Sequence, residues 1–287
     1  MVAQFTPPIL FRIGQRLKKS AGGTPEWEYM PGGWSTQDRR IKGWDDASIV
    51  EAQEARWYAF LRSLEGTGPL GVSIESPTSV CSVDEHNTLM CYAYVLALAA
   101  RRKGKLALLD WGGGAGHYYK ISKALLPEIQ INYRCFDKPA LCELGRRLLP
   151  EAEFLDNPES ALCRSYDLVL ASASLQYFEE WSKVVKELAS VTDSFLFVTR
   201  LPIVQHVPSF VVVQRPYRYG YKTEYLGWFL NRQAFLREIE GTGCGLVREF
   251  LIGQMPFVKG APEQGESRGF LFRFASGSRH ANYQKEV

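Results

Sequence analysis

The sequence has few histidines, little net charge and no long apolar run. The last two features each exclude a class of function. Its 287 residues include only 4 histidines and carry a formal net charge of +3. A charge this small does not predict a nucleic-acid-binding surface, and no basic stripe interleaved with aromatic residues covers a face. No apolar run approaches the roughly 18 residues that a membrane span requires. The composition, 46% hydrophobic and 23% charged, is typical of an ordinary soluble globular protein.

The six cysteines form neither a C-x-x-C pair nor a combination with histidine at metal-ligand spacing. We therefore expect free buried thiols in a reducing cytoplasm and no metal site. The N-terminal segment 8–19 is basic and amphipathic, with no acidic residue before Glu26. Two interpretations of this segment stay open: a loosely packed arm, or peripheral contact with an anionic membrane surface.

A glycine-rich loop follows a short apolar run near the middle of the chain. The run Leu106–Asp110 predicts a β-strand, and Gly112, Gly114 and Gly116 follow it at every second position. Glycine lacks a Cβ, so this spacing favours a left-handed backbone and close approach of a ligand to the main chain. A helix predicted from about Tyr118 directs its unpaired N–H groups and positive dipole end toward the same ligand. The sequence therefore predicts a cofactor-binding loop.

The spacing of these glycines differs from the dinucleotide-binding pattern G-x-G-x-x-G, because His117 stands where the third glycine would be. The string Asp110-x-Gly-x-Gly-x-Gly instead resembles motif I of the class I S-adenosylmethionine-dependent methyltransferases. A carboxylate at the strand end repels a pyrophosphate and suits a cofactor with a sulfonium and an ammonium group. The resemblance implies that Asp110 and the three glycines bind S-adenosylmethionine. A glycine-rich turn without a ligand is the alternative.

From Leu106 onward, strand and helix patterns alternate, which predicts a parallel sheet with helices on its faces. Strands are predicted at about 106–110, 131–137, 152–155, 166–171, 194–200, 246–252 and 269–274. Helices are predicted at about 118–126, 139–149, 179–190 and 231–240. Seven strands that end in a hairpin resemble the class I methyltransferase sheet, which is a Rossmann-like α/β fold.

Two helices are predicted before this sheet. One begins at a cap formed by Asp45 or Asp46 and runs to about Leu64, and the other is an apolar segment ending at Ala100. We therefore divide the chain into an N-terminal arm and helical cap, residues 1–103, and a methyltransferase domain, residues 104–287. Residues 20–44 are rich in Gly, Pro and Trp, which predicts loop.

In open α/β sheets the ligand lies outside the carboxyl ends of the strands, where this chain carries several polar residues. By the resemblance, Asp137 after the second strand would bind the ribose diol. The polar pair Asp156-Asn157 after the third strand is placed to meet the adenine amino group, with a structural role as the alternative. Ser172 and Arg200 end the fourth and fifth strands. Asn87 lies in a segment that often closes over the cofactor in class I enzymes. Helix capping is the alternative role for Asp137.

Methyl transfer to a hydroxyl group needs a general base, and the sequence offers His86, His117 and Tyr177 as catalytic candidates. His117 follows the glycine loop, His86 is predicted to open the helix before the first strand, and Tyr177 follows the fourth strand. Many class I O-methyltransferases carry His or an acidic residue after this strand, where this chain has Ser, Gln and Tyr. A structural role is the alternative for both histidines.

The connection at about 201–230 is far longer than the usual two to six residues or so between elements of an α/β unit. It is rich in aromatic residues and arginines, which suit stacking on sugar or aromatic rings and binding of carboxylate or phosphate. We predict that this aromatic insert is an acceptor-binding lid. A small core between the insert and the N-terminal helices is the alternative.

A second resemblance spans nearly the whole chain. The segments Gly43-Trp44, Gly66–Pro69, His86–Leu89, Asp110–Gly116 and Tyr219–Tyr221 look like a family of bacterial methyltransferases often associated with surface-polysaccharide gene clusters. The resemblance implies a cytoplasmic enzyme that methylates a small-molecule or sugar acceptor, by O-methylation of a glycan intermediate.

Two other functions stay open at this stage. A nicotinamide-dependent sugar oxidoreductase would need a pyrophosphate over the glycine loop and a Tyr/Lys pair, and Tyr118-Tyr119-Lys120 has the wrong arrangement. A non-catalytic module that binds the cofactor within a glycan-assembly complex would explain the absence of an obvious base. The sequence does not predict the oligomeric state.

Overall fold

The computed structural model describes residues 24–34, 40–76 and 80–274. The basic segment 8–19, for which membrane contact is one interpretation, lies outside the described residues. No helix within them has both the length and the apolarity to cross a membrane. All six cysteines are free thiols, as predicted from their spacing, but the prediction that they are buried is wrong for Cys81 and Cys163, which are exposed.

The described residues form seven α-helices and eleven β-strands. The helices are α1 (Ala47–Ser63), α2 (Val83–Ala100), α3 (His117–Leu125), α4 (Pro139–Leu148), α5 (Pro158–Ala161), α6 (Trp181–Ser190) and α7 (Arg232–Glu240). The strands are β1 (Trp27–Tyr29), β2 (Lys105–Trp111), β3 (Gln130–Phe136), β4 (Glu153–Leu155), β5 (Tyr166–Ser172), β6 (Thr192–Val204), β7 (Phe210–Gln214), β8 (Tyr225–Asn231), β9 (Cys244–Leu251), β10 (Val258–Lys259) and β11 (Glu266–Phe274).

The main part of the sheet has the order β4-β3-β2-β5-β6 with all neighbours parallel, and β11 and then β9 continue it antiparallel. The chain leaves β2 for β3 on one side and later returns to β5 on the other side. The carboxyl end of β2 is therefore a topological switch point, the place where open α/β sheets bind ligands. The prediction of an α/β fold with a mostly parallel sheet is confirmed.

The sheet is larger than the seven strands predicted, because it continues beyond the end of β6. The last residues of β6 pair with β8, and β7, β1 and β10 follow outward. Much of the aromatic insert therefore forms β7 and β8 instead of a loop. Trp27, Phe210, Val212, Phe229 and Val258 form a small core here. We call these four added strands the side wing, and β1 lies in a segment predicted as loop.

The apolar alternation of β2 explains how helices cover both faces of the main sheet. Leu106 and Leu108 point to the face packed by α1, α2 and α3. Leu109 and Trp111 point to the opposite face, which is packed by α6 and α7. Because successive side chains of a strand alternate between faces, Asp110 follows Leu108 onto the α1–α2 side. Burial on both faces makes this strand one of the most enclosed parts of the molecule.

The residue that caps α1 is one of the two that the sequence predicts, whereas α2 begins earlier than predicted. The side chain of Asp46 accepts a hydrogen bond from Ser48 N at 3.0 Å, so one of the two predicted caps is correct. The longer helix α2 begins at Val83, and Ser82 caps it. His86 therefore lies one turn inside α2 and does not open the helix.

A β-bulge interrupts β6 at Arg200. In the register with β11, Leu201 pairs with Arg268 and Val198 with Phe270, so Thr199 and Arg200 together face Gly269. Arg200 has a φ of +55°, which is strained for a residue with a side chain. Bulges redirect side chains and are frequent beside active sites. The bulge separates the part of β6 in the main sheet from the part that begins the side wing.

Replacing Gly145 by alanine is expected to destabilise the fold. Gly145 in α4 packs against Phe154 in β4, and an added Cβ would lie 2.1 Å from a ring carbon of Phe154. Overpacking of this kind costs about 1–3 kcal/mol, which urea denaturation measures as a lower unfolding free energy. The control is Gly241→Ala at the end of α7, where φ is −59° and the nearest atoms are 3.4 Å or more away. Equal stability of the two variants would contradict this packing.

Candidate functional site

A cavity of about 420 Å³ opens at the carboxyl ends of β2, β3 and β5, at the switch point of the sheet. Its volume lies within the range of about 300–1,000 Å³ that is usual for small-molecule sites. Its walls combine the glycine loop, the ends of the flanking strands and parts of the N-terminal region. Among the lining residues are Gln53, Glu75, Gly112, Gly114, His117, Asp137, Asp156, Ser172, Tyr177 and Arg200.

The glycine loop has the left-handed backbone that its spacing predicts. The φ angles are +73° at Gly112, +60° at Gly114 and +83° at Gly116. Gly112 and Gly114 line the cavity, whereas Gly116 lies against Phe154, where an added Cβ would come within 2.7 Å of the ring. A Cβ on Gly112 would lie 2.4 Å from the Cβ of Ser174. The first two glycines therefore bring the main chain to the cavity, and the third allows close packing of the loop on β4.

Two side chains hold the loop in this conformation. Asp137 accepts hydrogen bonds from Gly114 N and Lys138 N, both at 2.7 Å, and it lines the cavity. Burial raises the pKa of Asp137 to about 6, against the lowering effect of these hydrogen bonds. Gln53 of α1 accepts a hydrogen bond from Ala115 N at 3.2 Å. Sequence reasoning missed Gln53, although a glutamine only 4% exposed on an amphipathic helix is a polar residue that needs a partner.

Asp110 lies beneath the loop and is not among the residues that line the cavity. Its Oδ2 accepts a hydrogen bond from the Tyr133 hydroxyl, and a Cβ on Gly113 would lie 2.4 Å from that same oxygen. Oδ1 is buried without a hydrogen-bond partner in the described residues. Burial raises the pKa of Asp110 to about 7 despite the Tyr133 hydrogen bond. Asp110 therefore lies against the glycine loop from the side of the core, and its contact with a cofactor, implied by the motif, stays a prediction.

His86 and Asn87 lie outside the cavity, contrary to their predicted roles. Nδ1 of His86 is 2.5 Å from the carbonyl oxygen of Leu70, so the imidazole ties the segment before α2 to the helix. Nδ2 of Asn87 donates a hydrogen bond to the carbonyl oxygen of Ile252 at 3.1 Å. Both side chains serve the packing of α2, which was the alternative for His86.

The other two catalytic candidates, His117 and Tyr177, do line the cavity. Burial lowers the pKa of His117 to about 4, and its Nδ1 has no hydrogen-bond partner in the described residues. This imidazole is therefore neutral at pH 7 and able to accept a proton, although it is a weak base. Burial raises the pKa of Tyr177, whose hydroxyl donates a hydrogen bond to Gln214 Oε1 at 2.7 Å. Tyr177 is accordingly a neutral phenol in this state.

The predicted cofactor residues Ser172 and Asp156 also line the cavity, on opposite sides of the glycine loop. Ser172 Oγ and the hydroxyl of Tyr118 are 2.9 Å apart, and Asp156 pairs with Arg146 at 3.1 Å. The Tyr118 hydroxyl is therefore engaged in a hydrogen bond inside the core. Lys120 pairs with Glu151 at 2.8 Å. The Tyr/Lys arrangement that a nicotinamide oxidoreductase would need does not form from these residues.

A charged pair, Glu75–Arg200, occupies the wall of the cavity near β6. The Arg200 guanidinium lies 2.8 Å from Glu75 Oε2 and 3.8 Å from Glu85 Oε1. Burial alone would raise the pKa of Glu75, but the Arg200 charge lowers it. Burial raises the pKa of Glu85, with Arg200 opposing the shift. Glu75 was missed by sequence reasoning, because nothing in the segment before α2 indicates that it reaches β6.

A smaller chamber of about 40 Å³ adjoins the cavity, and we call it the inner chamber. It shares Trp44, Glu75, Ala173, Tyr177 and Arg200 with the cavity. Trp44 stacks on Tyr225 with ring centroids 4.7 Å apart, and Tyr177 meets both rings edge-on. Its other lining residues include Glu26, Trp27, Gln176, Gln214, Tyr219, Tyr221, Gln254 and Pro256. Aromatic residues of the insert thus contribute both to this chamber and to the core of the side wing. Tyr221 also packs with Ile49 of α1, which agrees with the alternative of a small core, and the role of an acceptor-binding lid stays a prediction.

No protein-family model matches the chain, and no curated protein matches it. Solved structures similar to it include several methyltransferases. The magnesium protoporphyrin IX methyltransferase of Synechocystis PCC 6803 with bound SAH is 14% identical, with a TM-score of 0.46, over 79% of this chain and 98% of that chain. The CcbJ methyltransferase of Streptomyces caelestis is 13% identical, with a TM-score of 0.46, over 80% and 100%. An O-methyltransferase family protein of Burkholderia thailandensis is 16% identical, with a TM-score of 0.43, over 85% and 77%.

Asp110 should make the wild type less stable as the pH rises, and the substitution Asp110→Asn should prevent this decrease. Because the folded-state pKa is about 7 and the ordinary value is 3.8, the unfolded chain ionises first between these values. The folded state then binds more protons, so its stability falls by up to about 1.4 kcal/mol per pH unit. Below about pH 4 the Asp110 carboxyl is protonated in both states and does not change the unfolding free energy. Above about pH 7 it is ionised in both states, and the loss of unfolding free energy increases no further.

Urea denaturation of both proteins between pH 5 and 8 measures this effect. The stability of Asp110→Asn relative to wild type should increase up to about pH 7 and then stay constant. Asp45→Asn, which removes a carboxylate that is 61% exposed, controls for the general change of charge. Parallel pH profiles for wild type and Asp110→Asn would contradict the buried, protonatable state of this carboxyl.

Proposed function

We propose that this protein is an S-adenosylmethionine-dependent methyltransferase. The observation that carries the proposal is the glycine loop, which is left-handed at Gly112, Gly114 and Gly116 and brings bare main chain to a 420 Å³ cavity. The loop joins β2 to the N-terminus of α3 at the switch point of the sheet, where ligands bind. Motif and geometry therefore both support a cofactor bound against this loop.

The chemistry of the cavity fits this cofactor better than a dinucleotide. At the β3–β4 side, Phe136, Leu141 and Pro158 offer apolar surface to a base, and Asp137 and Asp156 offer carboxylates to hydroxyl and amino groups. Carboxylates repel a pyrophosphate, whereas they attract the positive charges of a sulfonium and an ammonium. The bare main chain at Gly112 and Gly114 leaves room for a ligand against the loop.

The bound cofactor would supply an electrophilic methyl group on a sulfonium. The residues of the chain would mainly align the acceptor with that group, and alignment contributes on the order of 7 kcal/mol or more to such reactions. For a hydroxyl acceptor, the neutral imidazole of His117 can take up the proton, and Tyr177 can orient the acceptor by hydrogen bonding. The pKa of His117, lowered to about 4 by burial, keeps the imidazole unprotonated at pH 7.

The acceptor would lie on the side of the inner chamber, which shares Tyr177 and Arg200 with the wall of the cavity. A groove of about 670 Å³ shares Glu26, Trp27, Gln254 and Pro256 with this chamber and provides a second approach to it. Aromatic rings beside glutamine and glutamate side chains suit a sugar, whose C–H faces stack and whose hydroxyls bind amides. We therefore propose a small-molecule or glycan acceptor and O-methylation, in a setting of surface-polysaccharide biosynthesis.

Calorimetric titration should show that the protein binds S-adenosylmethionine and S-adenosylhomocysteine but not NAD. Gly114→Ala should weaken binding of both sulfur compounds by about tenfold or more, because a Cβ at this left-handed position would lie 3.0 Å from Gln53 Oε1, which holds the loop through Ala115 N. The matched control is Gly68→Ala, where no atom lies within 4 Å of the added Cβ. Binding of NAD, or of none of the three, would exclude the proposed cofactor.

Release of S-adenosylhomocysteine in the presence of candidate glycan acceptors separates an enzyme from a binding module. A catalytic protein should produce it only when both S-adenosylmethionine and an acceptor are present, and His117→Gln should slow its production. Tight binding of the cofactor without turnover on any acceptor pool would favour the non-catalytic alternative.

A further inference from the structure

We propose that Glu75 and Arg200 bind the amino-acid end of the cofactor, with Glu75 facing its ammonium group and Arg200 its carboxylate. This inference rests on the proposed function and deepens it, because it assigns a site to a part of the cofactor that the glycine motif does not specify. The two side chains line the same cavity as Gly114 and Asp137. They are 2.8 Å apart and oppositely charged, which matches the charges of an α-amino acid.

The position of the charged pair follows from the order of the strands. Asp137 and Asp156 follow β3 and β4 on one side of β2, whereas Arg200 lies in β6 on the other side. A ligand that spans the cavity and places its adenosine near Asp137 and Asp156 therefore directs its other end toward Arg200. The glycine loop lies between these two ends, against the middle of the ligand.

The protein holds both members of the pair in place at some energetic cost. Arg200 adopts its φ of +55° in the bulge of β6, a left-handed conformation that is unfavourable for residues with a side chain. Glu75 is fixed through its main chain, because Arg56 Nη1 donates a hydrogen bond to its carbonyl oxygen at 2.7 Å. Strained residues of this kind concentrate at ligand sites, where the surrounding structure keeps them in position.

The electrostatic balance of the site favours a zwitterion over an anion. Arg200 faces the carboxylates of Glu75 and Glu85, so its single positive charge is already matched. A phosphate would meet these carboxylates and be repelled, whereas an amino acid brings one charge of each sign. Glu85 lies beside Arg200 in a neighbouring surface pocket and is not among the residues that line the cavity. It therefore neutralises Arg200 without reaching the ligand.

Two other roles for the pair predict different results. If the pair only fastened the segment around Glu75 to β6, its loss would weaken every ligand of the cavity equally. If it bound the acceptor in the inner chamber, which it also lines, its loss would leave cofactor analogues unaffected. The decisive quantity is therefore the preference for a ligand with the amino-acid end over one without it.

Calorimetric titration with S-adenosylhomocysteine and 5′-methylthioadenosine measures this preference, because the second compound keeps the adenosine and the sulfur but lacks the amino acid. The wild type should bind S-adenosylhomocysteine at least about tenfold more tightly. Glu75→Gln and Arg200→Gln should each reduce this ratio severalfold while the affinity for 5′-methylthioadenosine stays within about twofold. Two variants on different elements keep the test valid if one of them fails to fold.

Glu54→Gln is the matched control, since it removes a carboxylate that pairs with Arg147 outside the cavity, and it should leave the ratio unchanged. Equal affinities of the wild type for both compounds would overturn the inference, as would an unchanged ratio in both Glu75→Gln and Arg200→Gln. A parallel loss of both affinities would instead assign the pair a structural role and also overturn it. Failure of the wild type to bind S-adenosylhomocysteine at all would overturn the proposed function itself.

Discussion

The left-handed backbone between β2 and α3 is the constraint on which the rest of the site depends. Only glycine adopts this conformation at little cost, and here it occurs at three positions within five residues. The amides that the loop exposes are held by Asp137 from β3 and Gln53 from α1. One short loop therefore fixes the end of a strand and a helix of the N-terminal region relative to each other, which makes α1 part of the cavity wall.

The same loop explains why so many ionisable groups are buried nearby. Asp110 beneath the loop, Asp137 beside it and the Glu75–Arg200 pair opposite it are removed from water to different degrees. Burial of a carboxyl raises its pKa and weakens the fold at neutral pH, so Asp110 and Asp137 are poor choices for stability alone. Proteins tolerate such local conflicts mainly at functional sites. The concentration of these groups around one cavity is thus independent support for its role.

Strong local patterns made the main sheet and the loop predictable. The strands β2, β3 and β5 and the helices α3, α4 and α6 agree with the sequence to within one or two residues, because alternation and glycine spacing are encoded locally. The side wing was not predictable, since β1, β7 and β10 are short and β1 pairs with β7 and β10 across more than 180 residues of sequence. His86 illustrates a second limit: its place beside a capping segment suggested function, but Ser82 begins the helix and the imidazole binds Leu70.

The bulge at Arg200 links the two halves of the proposed site. Before the bulge, β6 pairs with β5, and this part of the strand reaches the cavity. After the bulge, β6 pairs with β8. This second part begins the side wing, which carries Tyr225 and Gln214. A regular strand would direct the side chain of residue 200 by simple alternation, whereas the extra residue of a bulge changes that direction. The walls of both the cavity and the inner chamber include Arg200. A single irregularity of one strand therefore sets the boundary at which a cofactor and an acceptor would meet.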